Sequence, residues 1–178
     1  MRVGFWLPQI IKNTGVKSPI DIGLYTAIPY ACAAIAMNLM SRSSDLRLER
    51  RWHFALSAMA GGVGLIVSAL NPTNVPLSLA ALSLATAGIL SAFPISWTMP
   101  TAILAGTSAA AGIALVNSIG GLAGFVSPSI VGWINDRTQS PAIGLYVIAG
   151  SLFLGAILIL TLVPARRLGA PVAQAGPP

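Results

Sequence analysis

From Trp52 to Asn135 the chain contains no aspartate, glutamate, lysine or arginine. Its ten basic and four acidic residues all lie before Trp52 or after Asn135. A soluble domain built around so long a tract would still expose a large surface and would need charges along it. Charged residues make up only 8% of the sequence, against about 25% in soluble domains. This pattern excludes a water-soluble enzyme and a disordered tail. The single cysteine, Cys32, excludes an intrachain disulfide framework and a thiolate metal cluster. The net charge of +6 and pI near 10.5 do not point to nucleic acid, because the basic residues flank apolar runs instead of forming a solvated patch. An integral, all-α membrane protein is what remains.

A membrane-crossing helix needs about 20 mostly apolar residues. The run 20–40 satisfies this and ends at Ser41-Arg42-Ser43-Ser44-Asp45. The uncharged tract divides at Asn71-Pro72-Thr73-Asn74-Val75-Pro76 and, more softly, from Phe93-Pro94 through Met99-Pro100 to Gly106-Thr107. These breaks predict spans at 53–70, 77–97 and 109–134, with a fifth at 142–163. The stub 3–11 is too short to cross alone and stops at Lys12-Asn13-Thr14-Gly15. By length it fits an interfacial helix anchored by Trp6 as well as the end of a membrane helix. It does not read as a signal peptide, since Pro8 interrupts it and no cleavage pattern follows promptly. Residues 165–178 form a loose tail.

Alternate loops differ in basic charge. Lys12, Lys17 and Arg137 fall on one side; Arg42, Arg47, Arg50, Arg51, Arg166 and Arg167 fall on the other. The richer side is expected in the cytoplasm, together with the C-terminus.

No catalytic constellation is present. Asp21, Asp45, Glu49 and Asp136 sit at span ends or between spans, and the lone His53 lies beside Trp52. No carboxylate pair, histidine-rich metal spacing or Ser/His/Asp set shares a span, and no cofactor is implied. The polar groups within spans are amides, hydroxyls and aromatics, most of which hydrogen-bond a neighbouring helix and do nothing more. Asn117 stands apart, because an amide in mid-helix is costly to desolvate. Beyond it, Gly120, Gly124, Pro128 and Gly132 recur every fourth residue as one stripe, a pattern suited to close helix packing and a bend. The mixed charges of the Arg42–His53 segment suit a polar latch at helix ends, with Arg42, Asp45, Arg50 and Arg51 as its members.

Gly4-Phe5-Trp6-Leu7-Pro8-Gln9-Ile10-Ile11-Lys12, Ile28-Pro29-Tyr30 and the Asp45–His53 segment resemble the C-terminal half of major facilitator superfamily transporters. So does Asn117-Ser118-Ile119-Gly120-Gly121-Leu122-Ala123-Gly124-Phe125, with Pro128, Gly132-Trp133-Ile134 and Asp136 following. The nearest branch is the anion:cation symporters, the tartrate- and phthalate-type permeases of bacteria. In it the stub would be the end of helix seven and the five spans helices eight to twelve. The sequence departs from that branch at Ser41, where a glycine is usual, and at Leu46, where an arginine follows the aspartate. Gly121 replaces a common asparagine and Ser127 a common glycine.

The resemblance implies a six-helix half-bundle in the bacterial inner membrane, binding a small organic anion and a coupling cation, a proton, against a second half. The cavity positions it implies are Gln9, Tyr30, Ser96, Trp97 and Asn117. The coupling acid and any substrate-clamping arginine would belong to the other half, without which this chain is expected to be inactive. The alternative is a membrane structural subunit pairing with a separately encoded N-terminal half.

Overall fold

The computed structural model describes residues 18–47, 49–103, 107–138 and 140–163. They form five helices: α1 (Pro19–Arg47), α2 (Arg50–Leu70), α3 (Val75–Ile103), α4 (Thr107–Thr138) and α5 (Pro141–Leu162). Each contains a stretch long and apolar enough to cross a membrane, and no strand occurs among the described residues. The stub 3–11, Gln9 within it and the tail 165–178 lie outside the described residues.

The turns follow local chemistry. At the start of α3 the Asn74 side-chain oxygen accepts from the Leu77 amide at 3.2 Å, an asparagine cap ahead of Pro76. Pro141 opens α5, where its missing N–H costs nothing. Two expectations change. The segment from Arg42, read as a loop, is helical to Arg47 and again from Arg50. Arginine and leucine favour helix, and outside the hydrocarbon nothing obliges the helix to stop. Likewise α3 runs through Pro94 and Pro100 to Ile103. Within it the Ser96 and Thr98 hydroxyls donate to the Phe93 and Ile95 carbonyls at 2.6 and 2.8 Å, bonds inside the helix's own ladder of the kind hydroxyls make in membrane helices.

The packing is organised around α2, which lies against α3 on one side and α5 on the other, while α1 packs on α3. Small residues set the α2–α3 distance. A Cβ on Gly64 would stand 2.6 Å from the Ala81 carbonyl oxygen, and one on Gly88 would stand 2.5 Å from the Gly61 amide nitrogen. In hydrocarbon such close backbone approach replaces the hydrophobic effect as the source of helix association. Near the α2–α3 turn, the Ser68 and Ser78 hydroxyls share a buried hydrogen bond of 3.1 Å. At the opposite end Phe54 packs with Ile95, Met99, Ile159 and Val163. α4 touches α3 and α5 only sparsely, and its most apolar stretch has no buried residue.

Candidate functional site

Tyr30, Ser96, Trp97 and Asn117 fall on three different helices. Tyr30 is exposed on α1 immediately after Pro29, whose ring is fully buried. Because α1 packs on α3, the proline seats the helix and its neighbour looks away from the seat. Ser96 and Trp97 are partly exposed on α3 between its two prolines. The Trp97 ring stands edge-on to Phe93, with centroids 5.9 Å apart and planes at 90°, a favourable aromatic geometry. Phe93, which by pattern marks only the break before Pro94, stands four residues before Trp97 and so on the same face of the helix.

Asn117 is exposed on α4. Its neighbours Leu115, Val116 and Ile119 are exposed as well. Asn38 offers the contrast, since its amide donates to the Ala34 carbonyl at 2.8 Å. Ser118 likewise donates to the Ala114 carbonyl at 2.9 Å. These side chains satisfy themselves within their own helix, whereas Asn117 makes no such bond among the described residues. No hydrogen bond or ring contact joins Tyr30, Trp97 and Asn117 to one another among the described residues.

The glycine stripe of α4 is equally open. A Cβ added at Gly120, Gly124 or Gly132 would meet nothing within 4 Å. Among the described residues the close-packed glycines are instead Gly61, Gly62, Gly64, Gly88 and Gly144, of which Gly64 and Gly88 meet backbone most closely. At the far end of α4, the Arg137 guanidinium lies 5.6 Å from the Trp133 ring centroid, a cation–π contact.

The charged corner joins α1, α2 and α5. Arg51 donates from Nη2 to the Leu160 carbonyl. His53 Nδ1 lies 2.7 Å from the Glu49 carbonyl. A carbonyl only accepts, so Nδ1 carries the proton, while Nε2 and the Ser43 hydroxyl share a hydrogen bond of 3.1 Å. Arg42 and Asp45 are exposed on the last turns of α1, Arg50 is half-buried, and α2 begins without a side-chain cap. No cluster of metal-ligating side chains occurs among the described residues.

Compared with known proteins, the chain is 46% identical over 160 residues to an Agrobacterium vitis protein named as a tartrate transporter, covering 90% of this chain and 35% of that one. It is 37% identical over 164 residues to the metabolite transport protein NicT of Pseudomonas putida, covering 92% of this chain and 37% of that one. It is 36% identical over 171 residues to the inner membrane transport protein RhmT of Escherichia coli, covering 96% of this chain and 38% of that one. The chain thus spans little more than a third of the length of these curated relatives. No family model and no solved structure matches it.

Proposed function

We propose, from the premise that this chain is homologous to the C-terminal part of a major facilitator superfamily transporter, that it forms one half of a secondary transporter for small organic anions. Tartrate is the first candidate substrate, and a phthalate-like aromatic acid the second. The observation carrying this reading is Asn117, an amide exposed in the middle of a membrane helix whose glycine stripe is also uncovered. An amide facing lipid without a partner is costly. In the working assembly that side of α4 therefore faces a second helical half and a cavity between the two.

Tyr30, Ser96, Trp97 and Asn117 would present hydroxyl, ring and amide groups to the substrate, and Gln9 would join them. Rocking of one half against the other would open the cavity alternately, with the α1–α2 corner in the cytoplasm. The described spans hold no mid-membrane acid, because Asp21, Asp45, Glu49 and Asp136 stand at helix ends or between helices. Proton coupling would therefore draw on the other half. A separately encoded second half would serve equally, since α4 needs cover whether or not the covering helices share its chain.

The test is to fuse the chain to the N-terminal half of the Agrobacterium vitis relative and measure uptake into proteoliposomes under a proton gradient. Gradient-dependent accumulation of labelled tartrate or phthalate is expected. Correct insertion with uptake of neither would overturn the reading.

A further inference from the structure

Four buried polar atoms at the α1–α2 corner have no hydrogen-bond partner: Ser41 Oγ, Ser44 Oγ, Arg50 Nε and Arg51 Nε. Elsewhere among the described residues only the Ser57 and Ser91 hydroxyls share that condition. The concentration in one corner is unusual, since buried polar groups are nearly always paired. Ser44 is 2% exposed, so bulk water does not reach it.

The corner is compact. Only residues 48 and 49 separate α1 from α2, and the Ser43–His53 hydrogen bond of 3.1 Å ties the last turns of one helix to the first turn of the next. Ser41 and Ser44 flank Ser43, three residues apart and so on one face of α1. Arg50 and Arg51 open α2. One arm of Arg51 is committed to the Leu160 carbonyl, and its Nε remains.

The unpaired atoms agree in kind. An arginine Nε–H can only donate, and a hydroxyl can donate. α2 adds its own first-turn amides, which have no intrahelical acceptors. That first turn contains no acidic residue and receives no side-chain cap. Two guanidinium groups, two hydroxyls and the positive end of a helix call for one anion with several acceptor oxygens.

We propose that the α1–α2 corner binds a phosphate group. The exposed Leu46 and Trp52 beside it favour a phosphate that arrives on an anionic phospholipid, because apolar and tryptophan side chains sit at the level of lipid headgroups. Free phosphate shares the chemistry and is the competing source. The site does not depend on the transport reading, since all four unpaired atoms belong to this chain.

The experiment is native mass spectrometry of the full chain in detergent, titrated separately with short-chain phosphatidylglycerol, diacylglycerol and inorganic phosphate. One phosphatidylglycerol per chain is expected, and no diacylglycerol. Arg50→Gln should weaken that binding about tenfold, as expected on losing a charge-assisted partner. The Ser41→Ala/Ser44→Ala variant should weaken it several-fold with unchanged helicity, and it carries the test if Arg50→Gln does not fold. Arg137→Gln, at the opposite end of the bundle, should leave it unchanged. Binding of inorganic phosphate with no preference for the lipid would support the phosphate site and overturn its assignment to lipid. Absence of both, or equal losses in Arg50→Gln and Arg137→Gln, would overturn the proposal.

Discussion

Arg51, on the first turn of α2, donates a hydrogen bond to the carbonyl of Leu160, on the last turn of α5. The last carbonyls of a helix lack intrahelical donors and carry its negative dipole end. One guanidinium therefore supplies both a donor and a positive charge where α5 needs them. It also fixes α5 against α2 at the end where Phe54, Ile159 and Val163 pack.

Arg51→Ala should lower stability by about 1.5–3 kcal/mol, the range for hydrogen bonds to charged groups. Arg51→Lys, which keeps the charge at the helix end, should recover part of that loss. Unfolding of the reconstituted chain by titrated denaturing detergent measures both. An unchanged midpoint for Arg51→Ala would show that the contact contributes nothing.

The two sets of glycines should respond oppositely to alanine. A Cβ on Gly64 or Gly88 would press on backbone at 2.6 or 2.5 Å, and backbone cannot yield as a flexible side chain does. Gly64→Ala and Gly88→Ala should each cost about 1–3 kcal/mol or more as the helices separate. Gly120→Ala and Gly124→Ala meet open space and should stabilise this chain by about 0.5–1 kcal/mol through helix propensity. In a completed transporter those two changes should instead reduce uptake, if the stripe packs on a partner helix. Parallel unfolding and uptake measurements separate the effects.

The uncharged tract made the membrane class and five helices readable, because hydrocarbon leaves no other way to satisfy the backbone. Helix ends were harder. Pro94 and Pro100 read as a break, yet α3 continues through both, since a membrane helix tolerates the loss of single backbone bonds. Arg42 to Arg47 continued as helix because charge marks the membrane boundary and not the end of the ladder. Periodicity picked out Gly120, Gly124 and Gly132 but could not say what they face. Gly64 and Gly88 belong to the seam that forms, and their approach is a tertiary fact with no spacing of its own. The Arg51–Leu160 contact joins residues 109 positions apart, beyond any local pattern.

Asn117 and Asn38 should differ in a completed transporter. Asn38 is satisfied by the Ala34 carbonyl, so Asn38→Ala should leave substrate affinity unchanged. Asn117→Ala should raise the KM for uptake by roughly 2–10-fold, the worth of one neutral hydrogen bond, with expression intact. Equal kinetics for both variants would return Asn117 to a packing role.

The excess of basic residues at the α1–α2 corner should place it in the cytoplasm. Reporter fusions after Arg51 and after Val75 stand at opposite ends of α2 and should therefore report opposite compartments. Finding both on one side would break the antiparallel order of α1, α2 and α3 in the membrane.

The chain alone should insert and yet transport nothing. α4 is uncovered along its most apolar stretch, so in a bilayer its hydrophobic side chains meet lipid without penalty while Asn117 meets lipid at a cost. A cavity needs a second wall, and alternating access needs something to rock against. A symmetric pair of these chains would hide the open face but add no mid-membrane acid, because the described acidic residues stand at helix ends or between helices. Uptake of labelled tartrate and phthalate into proteoliposomes holding only this chain, under an imposed proton gradient, should equal that of empty liposomes. Saturable, gradient-driven accumulation would show that this bundle builds a complete pathway by itself.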